Sequence, residues 1–373
     1  MSKIKNAARI LFLPLNALNR ILPKREKIFI YSNLGFRDNT RAIYEHLVTK
    51  GFNKNYKITV SCPEFKKYKN NAPENVNFKS NLGGIFSFLT SKYSFYSFGK
   101  YPIKPYNQKV VNLWHGMPLK KIGNMEDGKE NIDQNFFTHL IATSPFFSDI
   151  MKKCFNAKDE NIIITNQPRT DEFLKPPVSE FENTVVWLPT FKKSKKLSQT
   201  DGETIFSIFN NDSLSKINEA LLNNNLCLIL KPHPMEDVSV IENNYSNIKI
   251  INDEWLEEKK INLYSLLNSS KALITDYSSV FFDYMMLGKP IAFTISDINA
   301  YMKNRGFVTE NPEELMVGFK IKIDDDFCAF INSLNGPDEY KAQRSKINKM
   351  LNINKKYNGC QTILDAVGIK SEE

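Results

Sequence analysis

The sequence predicts an α/β protein built from two doubly wound parallel sheets, and three observations carry that prediction. Short apolar runs alternate with helical segments along the chain. A proline-rich stretch breaks the alternation near the middle, after which it restarts. Four polar motifs each stand immediately after one of the apolar runs.

Taken in order, the first 24 residues form one element. Ile4, Ala7, Ala8, Leu11, Phe12, Leu15, Leu18 and Leu22 recur at helical spacing, with Lys3, Lys5, Arg9, Arg20, Lys24, Arg25 and Lys27 among and around them. Such a basic amphipathic helix suits a membrane interface. The other reading is a helix packed on the protein's own surface and bent at Pro14. The apolar stretch is too short to span a bilayer, and no small-residue cleavage site marks a signal peptide. Lys27–Tyr31 then reads as a strand, Arg41–Lys50 as a helix and Tyr56–Ser61 as a strand, followed by strands at Val110–Leu113, His139–Ala142 and Asn161–Ile164. Leu174–Glu180, with its paired prolines, reads as a linker. It divides the chain into an N-terminal domain, 25–177, and a C-terminal domain, 178–373. Beyond it, strands are expected at Thr184–Leu188, Leu226–Leu230, Ile248–Ile251, Ala272–Ile274 and Pro290–Phe293, with a helix over Ser213–Leu222. Two such halves would face each other across a cleft, with ligands beyond the carboxyl ends of the strands.

Composition narrows the function. A chain of 373 residues exceeds one ordinary core, and 42% hydrophobic content excludes a disordered protein. The net charge of +9 suits anionic partners. The basic residues are spread out and match no nucleic-acid-binding module, so no nucleic-acid partner is expected. The five cysteines are scattered and form no Cys-x-x-Cys pair, which argues for a reducing compartment and against a zinc site. Cys227, inside an apolar run, reads as core. No metal-ligand cluster, phosphate-binding P-loop or dinucleotide fingerprint appears, so no metal or cofactor is expected.

The four motifs are Trp114-His115-Gly116-Met117-Pro118-Leu119-Lys120-Lys121, Pro189-Thr190-Phe191-Lys192, Lys231-Pro232-His233-Pro234 and Thr275-Asp276-Tyr277-Ser278-Ser279. His115 and His233, one in each half, can exchange protons near neutral pH. Each is also open to a structural reading, His115 as a core histidine and His233 as a turn residue. Gly116 permits a tight turn and close ligand approach. Lys231 beside two prolines makes a stiff cationic loop suited to phosphate oxygens. Ser278 and Ser279 stand where a helix would begin, and are either a phosphate site or an ordinary cap. His46 and His139 read as structural.

These motifs, in this order, with Asp283 and Lys289-Pro290 following the last, resemble the CDP-glycerol glycerophosphotransferase family of teichoic-acid primases and polymerases. Asn39 with Arg41–Glu45, Pro168-Arg169-Thr170-Asp171 and Arg305-Gly306-Phe307 extend the resemblance over about Tyr31 to Asp365. It implies a GT-B fold, two Rossmann-like domains across a cleft, and transfer of a polyol phosphate from a CDP-linked donor to a hydroxyl of a lipid-linked saccharide or polymer, releasing CMP. It implies His115 as general base, His233 on the donor pyrophosphate, and Ser278 and Ser279 on phosphate. Gly116, Lys120, Arg169, Thr190, Lys192, Lys231, Asp276 and Asp283 would complete the substrate-binding set. Lys192 stands where the family commonly has arginine, which keeps the charge and loses the bidentate fork. Asn166 replaces the family's glycine before Pro-Arg.

The expected protein is therefore a CDP-glycerol-type phosphotransferase, peripheral on the cytoplasmic face of an anionic membrane. A GT-B glycosyltransferase using a nucleotide sugar is the alternative enzyme. A non-catalytic member of an envelope-polymer complex is the alternative from another class.

Overall fold

The computed structural model of this chain describes residues 12–190, 193–194, 199–200, 211–232, 245–353 and 358–370. The chain divides into two compact units. One comprises Met1–Met117, Gly123–Asp171 and Lys355–Glu373; the other comprises Pro118–Ile122 and Glu172–Asn354.

The first unit holds seven strands: β1 (Arg25–Tyr31), β2 (Lys57–Ser61), β3 (Val76–Lys79), β4 (Ser91–Tyr96), β5 (Lys109–Asn112), β6 (His139–Ala142) and β7 (Ile162–Ile164). They lie in the order β3-β2-β1-β4-β5-β6-β7 and every pairing is parallel. Burial of both sheet faces explains why β1 ends in the unbroken apolar run Ile28–Tyr31. Ile28 and Ile30 enter one core with Ile58, Val60, Phe95 and Val111. Phe29, from the other face, meets Phe88 and Tyr101.

The second unit holds β8 (Thr184–Leu188), a small hairpin of β9 (Lys193–Ser194) and β10 (Gln199–Thr200), then β11 (Cys227–Leu230), β12 (Ile248–Ile250), β13 (Ala272–Thr275), β14 (Ile291–Thr294) and β15 (Phe319–Ile321). The main sheet is parallel throughout and runs β12-β11-β8-β13-β14-β15. In both sheets the unit's first strand pairs with its second on one side and its fourth on the other. Strand order therefore reverses beside β1 and beside β8, where doubly wound sheets open a crevice at the carboxyl ends.

Every strand expected from the sequence is present, within a residue or two. β3, β4 and β15 in the main sheets, and the hairpin β9–β10, were not expected. β4 is central yet reads Ser-Lys-Tyr-Ser-Phe-Tyr, and its buried serines hide it from an apolar-run criterion.

Two expectations need correction. The domain 178–373 loses its C-terminal end to the first unit. The helix Gly359–Val367 buries Cys360, Ile363, Leu364 and Val367 in the first unit's core. Asp171 holds the start of this helix, its two oxygens accepting from Gly359 N at 2.6 Å and Cys360 N at 2.9 Å. A side chain at Gly359 would meet the Asn166 carbonyl oxygen at 2.6 Å, so glycine is required for this approach. Cys227 is exposed rather than core, because it opens β11 at the sheet's margin. Pro14 stands in the first turn of Leu13–Ile21, where the missing N–H costs nothing, and the part of the expected helix before it lies outside the described residues.

That helix is docked. Asn19 is fully buried and donates to the Lys104 carbonyl and to Gln108 Oε1, both at 2.9 Å. Asn16 Oδ1 accepts from Lys104 N at 2.8 Å, and Lys24 Nζ donates to the Leu89 carbonyl at 2.7 Å. The packed-helix reading holds for these residues, while Leu13 and Ile21 remain exposed. Residues 1–11 lie outside the described residues.

Leu364→Ala, far from any strand-end motif, is expected to destabilise the first unit by about 2–5 kcal/mol through the cavity it leaves. Urea unfolding followed by circular dichroism measures this. A loss below about 1 kcal/mol would contradict the placement of the C-terminal helix in that core.

Candidate active site

All four sequence motifs leave the carboxyl ends of strands: β5, β8, β11 and β13. They fall into two groups, one in each unit.

In the first unit the chain turns sharply after β5. Trp114 takes φ 49° and Gly116 takes φ 121°, so the turn depends on one strained tryptophan and one glycine. Asn112 Oδ1 accepts from Trp114 N at 3.0 Å and steadies the turn from within. The His115 ring is held between aromatics. Its centroid lies 4.9 Å from Phe98, stacked nearly parallel at 14°, and 4.0 Å from Trp114. Nδ1 lies 3.5 Å from the Ser97 carbonyl, at the outer limit of hydrogen bonding. That oxygen can only accept, which assigns the proton to Nδ1 and the lone pair to Nε2.

Charge surrounds this turn as well. Arg169 Nη1 meets both oxygens of Asp38 at 2.8 Å and donates to the His115 carbonyl at 3.2 Å. Burial is the main influence on the imidazole and pushes its pKa down to about 4. Asp38 raises the value, the Ser97 contact raises it, and Arg169 and Arg37 lower it. His115 is therefore neutral at neutral pH.

In the second unit the crevice beside β8 is bridged by one buried carboxylate. Asp276 Oδ2 accepts from Thr190 N at 2.9 Å and from Thr190 Oγ1 at 2.7 Å, tying the loop after β8 to the loop after β13. Thr275 Oγ1 donates to the Leu188 carbonyl at 2.7 Å and closes the same junction. The other Asp276 oxygen is buried without a hydrogen-bond partner among the described residues. Ser278 and Ser279 are half-exposed. Ser279 precedes the short helix Val280–Tyr284 without capping it through its side chain, and Ser278 Oγ reaches Val280 N only at 3.4 Å. The ordinary-cap reading of this pair therefore fails for Ser279.

The remaining candidates separate. Lys120 belongs to the second unit, because the chain crosses from one unit to the other inside its first motif. Lys121 N donates to the Gly306 carbonyl at 3.2 Å and Val308 N to the Leu119 carbonyl at 2.9 Å. Lys120 Nζ lies 5.4 Å above the Tyr301 ring. Lys231 is paired with Asp253 at 2.9 Å, so its charge is shared with a carboxylate. Asp283 does not join the group; it is buried and accepts from Tyr264 OH at 2.6 Å. Arg169 likewise serves the protein's own groups. His233 and Lys192 lie outside the described residues.

Sequence reasoning passed over Asp38, Ser97, Phe98 and Gln167. Asp38 had a local signal, an Asp-Asn pair opening a helix. Ser97 and Phe98 had none, since they follow the unexpected strand β4. Among the described residues, His46, Asp171 and Cys360 approach within 4.8 Å of one another. Asp171 is committed there to the helix start, and His46 Nε2 faces Gln361 Oε1 at 3.0 Å.

The sequence profile described as CDP-Glycerol:Poly(glycerophosphate) glycerophosphotransferase matches residues 15–364. The chain is 29% identical over 316 residues to a teichoic acid poly(glycerol phosphate) polymerase of Bacillus spizizenii, covering 77% of this chain and 78% of that one. It is 28% identical over 223 residues to a teichoic acid glycerol-phosphate primase of Bacillus subtilis, covering 54% of this chain and 53% of that one. Among solved structures, the wall teichoic acid polymerase TagF, as a histidine variant, superposes with a TM-score of 0.74 at 20% identity, over 97% of this chain and 92% of that one. At that identity the likeness shows the fold, the GT-B class of paired Rossmann-like units.

The His115 ring is expected to stay neutral as pH falls from about 8 to about 5, and to protonate only near 4. The unfolded chain takes up that proton near 6.5, so folding loses stability as pH falls between the two values. Histidine nitrogen NMR follows the titration, and a His115 midpoint at the ordinary value would contradict the desolvated setting.

Proposed function

This chain belongs to the CDP-glycerol:poly(glycerophosphate) glycerophosphotransferase family, and from that premise we propose how its residues divide the reaction. The substrate pair is CDP-glycerol and a hydroxyl of a lipid-linked saccharide or growing polymer. The acceptor oxygen attacks the phosphorus that bears the glycerol. Its proton passes to His115 Nε2. The bond from that phosphorus to the bridging oxygen breaks, and CMP leaves with the bonding electrons.

The observation that supports this most directly is the state of His115. A neutral imidazole at the carboxyl end of β5, with Nδ1 toward the Ser97 carbonyl, leaves the Nε2 lone pair to accept a proton, while the burial that keeps the ring neutral also weakens it as a base. The donor falls to the second unit. Thr190, Asp276, Ser278 and Ser279 cluster at the crevice beside β8, where doubly wound sheets bind nucleotides. Backbone N–H groups and the two serine hydroxyls supply phosphate contacts without a metal. His233, Lys192 and Lys231 add positive charge to the donor phosphates in this reading, and His233 steadies the charge that develops on CMP.

The membrane belongs to the same proposal. No helix among the described residues is long and apolar enough to cross a bilayer. The first unit nevertheless exposes large apolar side chains on two neighbouring helical segments. Leu13 and Ile21 are 62% and 77% exposed; Leu82 and Phe86, at the helix Ile85–Thr90 that packs on Leu13–Ile21, are 80% and 62% exposed. With Arg20 they give the first unit exposed apolar and cationic side chains suited to an anionic lipid surface at the cytoplasmic side. Deleting residues through Leu22 would also remove the Asn16 and Asn19 bonds to Lys104 and Gln108, so point substitutions test this face more cleanly.

His115→Ala is expected to lower kcat by about 10²–10⁴-fold while CDP-glycerol binding, measured by calorimetry, is retained. Near-normal turnover would remove His115 from the base role. Leu82→Asp combined with Phe86→Asp is expected to abolish sedimentation with phosphatidylglycerol vesicles and leave turnover of a short soluble acceptor unchanged. Unaltered vesicle binding would place the membrane face elsewhere.

A further inference from the structure

Three consecutive backbone carbonyls around His115 are held by side chains from distant parts of the sequence. Asn39 Nδ2 lies 3.2 Å from the Leu113 carbonyl and 3.0 Å from the Trp114 carbonyl. Arg169 Nη1 takes the third, that of His115, at 3.2 Å. The holding groups are themselves joined. Arg169 N donates to Asn39 Oδ1 at 3.1 Å, Asn39 Nδ2 donates to Gln167 Oε1, and the Arg169 guanidinium is fastened to Asp38. Asp38 and Asn39 open the helix Asp38–Thr49, whereas Gln167 and Arg169 follow β7.

We propose that Asp38, Asn39 and Arg169 are positioning residues for His115: a clamp that fixes the backbone carrying the base and keeps a charge-balanced ion pair beside its ring. The proposal deepens the reading of His115 as general base and rests on it for its kinetic consequence.

The energetics favour a built device over incidental contact. Asp38 takes φ 61°, a left-handed conformation that strains most residues bearing a side chain. Trp114, at φ 49°, shares that strain. Such conformations persist where surrounding bonds over-determine them, and they gather at functional sites. The ion pair is mostly buried, with Arg169 nearly closed off from solvent. In this proposal so enclosed a side chain supports the base.

The charges acting on the ring have opposing signs. Asp38 stabilises an imidazolium, while Arg169 and Arg37 oppose it, against a background of burial that also opposes it. Phe98 and Trp114 pack on the ring from β4 and β5, and the Ser97 carbonyl is the polar group that faces Nδ1. Removing one member of the ion pair exposes the ring to the other. The two halves therefore have opposite electrostatic effects and the same mechanical effect, a combination that a purely structural pair would not produce.

The test uses the full chain, with CDP-glycerol and a soluble acceptor, and two readouts: steady-state kinetics and NMR titration of His115. Asp38→Asn keeps the side-chain shape and tolerates the left-handed backbone. It is expected to lower kcat roughly 10- to 100-fold, with KM for CDP-glycerol within about twofold, and to shift the His115 titration to lower pH. Arg169→Gln is expected to lower kcat similarly and shift the titration to higher pH. Arg169→Lys, which keeps the charge but cannot reach both Asp38 and the His115 carbonyl, is expected to restore the titration and not the rate. Unchanged kcat in Asp38→Asn, titration shifts of the same sign in both charge-removing variants, or full rescue by lysine would each overturn the clamp. Thermal melting confirms that each variant is folded at the assay temperature; if one of the charge-removing variants is not, the sign of the surviving one's shift, together with the lysine variant, decides. If His115→Ala retains activity while the opposite shifts are still seen, the base assignment fails and the clamp stands.

Discussion

Parallel pairing is the constraint on which the rest of this structure depends. Every strand of the two main sheets runs the same way, so every carboxyl end in a unit falls on one edge. Loops that are far apart in sequence leave that edge side by side. Parallel pairing also demands that both sheet faces be covered, which makes the strands apolar and expels polar chemistry to their ends. Asp276 and Thr190, more than eighty residues apart, meet because β8 and β13 are neighbours where strand order reverses. His115 and Ser97 meet because β4 lies beside β5.

The two groups solve opposite electrostatic problems. Around His115 the protein keeps a titratable ring neutral by surrounding it with aromatics and balancing the charges nearby. Around Asp276 it keeps a carboxylate buried, with one oxygen engaged twice by Thr190. Asn16 and Asn19 secure the docked N-terminal helix to the first unit, and its Leu13 and Ile21 face outward.

Much of this was legible from residue order. Apolar runs marked most strands, because a doubly covered strand has no polar face to disguise it, and the motifs at strand ends marked the chemistry. The runs failed for β4, where buried serines and aromatics replace aliphatics, and that failure concealed Ser97 and Phe98. Asp38 was passed over because an aspartate before a helix looks the same whether it caps or clamps. Arg169 and Asp283 were recognised as notable residues, but their partners, Asp38 and Tyr264, lie far away in sequence.

The sequence by itself determined the α/β class, the two sheets, the strand-end location of His115, Thr190, Asp276, Ser278 and Ser279, and the family. Each of these follows from local periodicity or from short motifs, which neighbouring residues specify. Tertiary structure alone decided that the C-terminal helix belongs to the first unit, that the chain changes units within its first motif, and that Asp38, Asn39 and Arg169 converge on the His115 turn. Those outcomes depend on which apolar face finds which core and which buried charge finds its partner. Such pairings are energies between residues distant in sequence, and no local pattern encodes them.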